Sequence, residues 1–190
     1  MTSPASLSPA QAAARLDEFT VIDVRGPGEY ASGHVPGAHN VPLDHMAEAL
    51  PALKSASARG SLLVVCASGV RSTRAAEILA DADIDAATLS GGTSAWENAG
   101  HGLDRVTGAK AVWPMERQVR LAAGSLVVAG LLLGRRFPAA RWLSAGVGSG
   151  LVLSAVTDSC AMAAALSKLP HNRAPRTAPD LNATLEALQS

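Results

Sequence analysis

The sequence has 190 residues, 48% of them hydrophobic, 17% charged and only 6 aromatic. That apolar fraction excludes a disordered or collagen-like chain, while the charge falls below the roughly 25% of ordinary soluble domains. A net charge of zero conceals a split: residues 1–108 carry 12 acidic and 7 basic side chains, a balance of −5, and residues 109–190 carry 4 and 9, a balance of +5. Two halves of opposite sign imply two environments.

In chain order, Ser8-Pro9-Ala10-Gln11 predicts a helix start, with Ser8 as N-cap, Pro9 in the first helical position and Gln11 closing a capping box. Residues 1–16 lack the basic start and apolar core of a secretory signal, so the first half is expected in the cytosol with reduced thiols. Val21–Val24 and Leu62–Val65 are short β-branched, apolar runs suited to buried strands, and Ala87–Leu89 is a weaker third. Leu43–Leu50 and Ser72–Ala80 read as helices between them. Alternation of this kind predicts an α/β domain with a mostly parallel sheet over residues 1–108.

Beyond Gly108 the composition changes. After a linker at 109–116, Leu121–Gly134 is free of charge, and Trp142–Ser167 holds a single charged residue, Asp158. The second stretch suffices to span a bilayer at about 1.5 Å per residue against a ~30 Å core. The first reaches that length if Arg117 and Arg120 extend to the interface. A two-helix transmembrane hairpin over 117–168 is therefore expected, a soluble helical domain being the alternative. The tail, 169–190, is polar and Pro-rich with an amphipathic piece at Asp180–Leu188.

Only two cysteines are present, so no disulfide framework is expected. Cys66 ends an apolar strand-like run and begins a loop, Ala67-Ser68-Gly69-Val70-Arg71-Ser72, that leads into a helix. A side chain at the carboxyl end of a parallel strand faces the usual ligand crevice. The following helix N-terminus offers free backbone N–H groups and Arg71 adds a positive charge, a setting that cradles an anionic sulfur. Asp23 and Arg25 end the first strand and suit a structural ion pair as well as a substrate contact. His34 lies in a Gly/Pro loop where a turn role is the simpler reading. No metal site is expected, because no ligands recur at suitable spacing.

These residues resemble the rhodanese family of sulfurtransferases. The resemblance rests on Val21-Ile22-Asp23-Val24-Arg25, Glu29-Tyr30, the run from Gly33 to Pro42, the Cys66 loop, and Gly91-Gly92 followed by Trp96 and Ala99-Gly100. It implies that Cys66 takes a sulfane sulfur from a donor such as thiosulfate, holds it as a persulfide and passes it to cyanide or a thiol. Arg71, with the loop positions Ala67, Ser68, Gly69, Val70 and Ser72, would stabilise the anionic donor or persulfide, and Asp23 and Arg25 would lend support. Dual-specificity phosphatases are similar, but their loop is one residue longer; four residues between Cys66 and Arg71 favour sulfur over phosphoryl transfer.

The second half resembles the two-helix module that follows the rhodanese domain in certain bacterial inner-membrane proteins, through Glu116–Gly124, Ser159–Met162 and Lys168–Asn172. Asp158 and His171 depart from that pattern. Cys160 is either a sulfur or redox partner or a small residue packed between helices. The whole reads as a multi-pass inner-membrane sulfurtransferase with its first domain facing the cytosol. It is expected to need no cofactor and bind no nucleic acid, and to pair with a second copy through a small-residue face that includes Gly130, Gly134, Gly146, Gly150, Ser154 and Asp158. A non-enzymatic persulfide carrier or sensor signalling to a membrane partner is the competing class.

Overall fold

The computed structural model describes residues 4–157, 160–173, 175, 177, 178 and 180–190. It divides into two compact units, one comprising residues up to Val112 together with those from Arg173 on, the other Trp113–Asn172.

The first unit is built on five strands, β1 (Ser6–Leu7), β2 (Phe19–Asp23), β3 (His39–Asn40), β4 (Ser61–Val65) and β5 (Ala86–Leu89), in the order β1-β5-β4-β2-β3 and all parallel. Its helices are α1 (Pro9–Ala13), α2 (Pro27–Ser32), α3 (Met46–Ser57), α4 (Val70–Asp81) and α5 (Gly92–Asn98). Both hydrogen bonds of the Ser8/Gln11 capping box are made. Strand pleating sorts the apolar runs between two cores. Ile22, Leu62, Val64 and Cys66 join the cluster that holds Met46, Leu53 and Leu79, whereas Val21, Leu63 and Val65 join the cluster of Tyr30, Val35 and Trp96. A parallel sheet covered on both faces is why β4 reads as an unbroken apolar run.

From β2 the chain steps outward to edge strand β3, then crosses back to β4 on the other side. This is a topological switch point, and open α/β sheets bind ligands at the carboxyl ends of the strands flanking such a point. Asp23 ends β2 there, and Cys66 follows β4.

The helix expected to stop at Leu50 continues as α3 to Ser57, straight through Pro51. Ala52, Leu53 and Ala56 beyond the proline are fully buried, and that burial offsets the one lost helix hydrogen bond. The amphipathic piece expected at Asp180–Leu188 forms and finds a partner surface. Helix α9 (Leu181–Gln189) is capped by Asp180 and packs on α3, with Leu188 buried and Leu181 and Leu185 against the same core. Its apolar stripe at i, i+4 and i+7 requires such a surface. Arg59 secures the far end by donating to the carbonyls of Leu188 and Gln189 at 2.6 and 3.4 Å.

The second unit contains α6 (Met115–Leu133), α7 (Arg141–Thr157) and α8 (Ala161–Ser167). Helices α6 and α7 pack closely where Gly130 faces Ser144, whose hydroxyl donates to the Val127 carbonyl at 2.9 Å, and where Gly134 faces Arg141. The 142–167 stretch is not one helix. Cys160 adopts extended backbone and its Sγ accepts the Ala163 N–H at 3.4 Å, so that it caps a separate α8. Asn172 then fastens α8 to the start of α6: its amide donates to the Leu166 carbonyl and exchanges two 2.8 Å hydrogen bonds with Gln118. Among the described residues one helical stretch, Pro138–Thr157, is long and apolar enough to cross a membrane, with 20 residues and mean hydropathy 1.2. Its outward side chains, Trp142, Val152, Leu153 and Val156 among them, are exposed, as a lipid-facing surface requires. Among the described residues a Cβ on Gly146 or Gly150 would meet nothing within 4 Å, whereas Gly130 and Gly134 are packed against α7. Asp158 lies outside the described residues.

Candidate functional site

Cys66 is fully buried at the end of β4. Its Sγ accepts the Gly69 N–H at 3.1 Å and lies 3.6 Å from the Ser72 hydroxyl, which in turn donates to the Gly69 carbonyl at 2.9 Å. Gly69 makes this turn possible. It occupies the left-handed region at φ +106° and begins α4, so the chain reverses around the sulfur without a side chain in the way. Ser68 and Val70 stand on the outer rim, Val70 at 72% exposure. Sγ is thus screened from solvent in this structure.

The loop is oriented by α5, the helix that follows Gly91 and contains Trp96. The N–H groups of Thr93 and Ser94, at the start of α5, donate to the carbonyls of Cys66 and Ala67 at 2.8 and 3.1 Å. In a trans peptide the C=O and the following N–H point in opposite directions. Fixing these two carbonyls on α5 therefore turns the N–H groups of Ala67 and Ser68 to the opposite side. The approach is so close that a Cβ on Gly92 would fall 2.2 Å from the Cys66 carbonyl oxygen. The Gly-Gly-Thr-Ser sequence was the available signal; it reads as a tight helix start, and only the fold shows that it abuts the Cys66 loop.

The guanidinium of Arg71 is held by Glu29. Its two terminal nitrogens donate to the two Glu29 carboxylate oxygens at 2.8 and 2.9 Å, a fork-on-fork pair with Glu29 only 4% exposed. Asp23 and Arg25 form a second buried pair at 2.6 Å, and Arg25 also donates to the Gly33 carbonyl. Burial opposes the Arg25 charge, but the attraction and hydrogen bonds of Asp23 outweigh it, so the Arg25 pKa lies above its ordinary value. The Asn40 amide donates to the carbonyls of Asp23 and Arg25, tying β3 to the same corner. His34 stacks on Tyr30 at 3.8 Å with Nδ1 2.9 Å from the Tyr30 carbonyl, a turn-holding arrangement remote from Cys66 in its contacts. No metal-ligating cluster occurs among the described residues.

Residues 8–99 match the family described as rhodanese-like domain, and residues 112–177 match that described as inner membrane protein YgaP-like, transmembrane domain. The uncharacterized protein slr1261 of Synechocystis is 36% identical over 159 residues, which cover 83% of this chain and 86% of that one. Thiosulfate sulfurtransferase GlpE of Shewanella oneidensis is 32% identical over 80 residues, covering 42% of this chain and 76% of its own. Among solved structures, the BH2092 protein of Bacillus halodurans aligns over 60% of this chain and 88% of its own with a TM-score of 0.51 and 20% identity, a likeness of fold alone.

Proposed function

Because the chain belongs to the rhodanese-like proteins that carry a YgaP-like transmembrane domain, we propose that it is a membrane-tethered sulfurtransferase that turns over through a persulfide on Cys66. The observation that carries this reading is the Cys66 loop, whose peptides are pinned by α5 while the Gly69 N–H points at Sγ. Such N–H donors stabilise negative charge on sulfur as it is loaded and as it leaves. The likeness to a thiosulfate sulfurtransferase supports thiosulfate or another sulfane-sulfur compound as donor, with cyanide or a thiol as acceptor.

The complete burial of Cys66 favours a second reading, a persulfide carrier that loads once and delivers slowly to a membrane partner. Transfer from donor to acceptor by the full chain separates the two. Many turnovers per Cys66 support the enzyme, and a single equivalent followed by a stall supports the carrier.

We place both ends of the chain in the cytosol. The return of α9 to the first unit supports an even number of membrane crossings. Basic residues flanking the helices number seven on the terminal sides (Arg105, Lys110, Arg117, Arg120, Lys168, Arg173, Arg176) and three in the connection (Arg135, Arg136, Arg141), a bias that favours terminal sides inside. The open Gly146/Gly150 face is where a second copy would pack. In a variant lacking Cys66 and Cys160, Ala139→Cys is expected to react with an impermeant thiol reagent added to whole cells. Labelling confined to lysed cells would reverse the orientation.

A further inference from the structure

The charged side chains at the carboxyl ends of β2 and β4 cancel. Asp23 neutralises Arg25, and Glu29 engages both terminal nitrogens of Arg71. The two pairs form one cluster, since Arg25 lies in the field of both Glu29 and Arg71. Every other residue of the loop from Ala67 to Thr73 is uncharged, and its rim carries the exposed isopropyl group of Val70. The next cation, Arg74, is exposed, where water and salt screen it.

A thiolate attacking a dianion brings three negative charges together, and the two balanced pairs set no surplus of positive side-chain charge against them. A donor with a single charge and an organic chain meets less repulsion, and its chain suits the Val70 rim. We propose that Glu29, by neutralising Arg71, sets donor selectivity, turning the site from multiply charged donors toward organic persulfides of low charge. This deepens the sulfurtransferase reading and rests on it. In the step itself the Cys66 thiolate attacks the outer sulfur of the donor RS–SH. The Sγ–S bond forms, the RS–S bond breaks and its electron pair leaves with RS⁻, so Cys66 becomes Sγ–SH and no oxidant is consumed.

Two donors with the same reacting bond isolate charge: the persulfides of 2-mercaptoethanol and of 2-mercaptoethanesulfonate, which differ by one sulfonate. Loading of the full chain in detergent, followed by intact mass, is expected to be about tenfold faster from the hydroxyethyl persulfide, the effect of one added charge in a partly buried site. Glu29→Gln is expected to shrink this preference to about twofold by improving apparent affinity for the sulfonate donor, and Glu29→Asp to retain it. A merely structural role for Glu29 would lower both rates together and leave their ratio unmoved, which would overturn the inference. Equal rates, or faster loading from the sulfonate, in the unmodified protein would overturn it without any variant. Loading by neither persulfide nor by thiosulfate would overturn the sulfurtransferase reading itself, and this inference with it.

Discussion

Cys66→Ser is expected to lower sulfur loading by about 1,000-fold or more while the first unit stays folded. Serine is nearly isosteric here, and its hydroxyl can accept the Gly69 N–H and reach the Ser72 hydroxyl as the sulfur does. Stability should therefore change by no more than about 1–2 kcal/mol, the scale of a rearranged buried hydrogen bond. The chemistry cannot survive, because an alcohol is a weak nucleophile at its ordinary ionisation and cannot carry a sulfane sulfur. Melting temperature and persulfide content of the same preparation check both halves of the expectation. Undiminished loading in Cys66→Ser would move the chemistry to Cys160, the only other cysteine.

Gly92→Ala is expected to have a comparable effect on loading with a large cost in stability. Gly92 sits at φ +61°, and an added Cβ meets the Cys66 carbonyl oxygen at 2.2 Å and Ala67 backbone atoms at 2.6 and 2.7 Å. Backbone cannot step aside as a flexible side chain can, so α5 and the Cys66 loop must separate. That breaks the two hydrogen bonds from Thr93 and Ser94 that orient the loop. A loss of about 2–4 kcal/mol is expected, the sum of left-handed strain and a clash. Gly100→Ala is the matched control, since Gly100 is also left-handed at φ +85° but faces open space. It should cost only about 1 kcal/mol and leave loading near the parent rate. Equal effects of the two substitutions on loading would show that the α5 contact does not shape the sulfur site.

The parts of the fold that could be read from sequence were those with enough residues to carry a pattern. The runs at Val21–Val24, Leu62–Val65 and Ala87–Leu89 fall within or beside β2, β4 and β5, and the capping box at Ser8 and Gln11 is built as its chemistry requires. Strands β1 and β3 have two residues each, too few for any periodicity, and exist because their neighbours pair with them. Helix α3 passes through Pro51 because tertiary burial outweighs a local preference. The break between α7 and α8 was hidden for the opposite reason: an apolar stretch keeps its hydropathy whether or not the backbone turns within it. At the site, Cys66 and its glycine turn were legible as a strand-loop-helix motif. The partnership of Arg71 with Glu29 spans 42 residues and the support of the loop by Thr93 spans 27, separations that no local pattern encodes.

The proposed activity turns on Cys66 taking up a transferable sulfur. The most direct measurement is intact mass of the full chain after incubation with thiosulfate or an organic persulfide, repeated after treatment with cyanide and on Cys66→Ser. The parent protein is expected to gain one sulfur atom that cyanide removes, and the variant to gain none. An unchanged mass with every donor, or an identical gain on the variant, would contradict it.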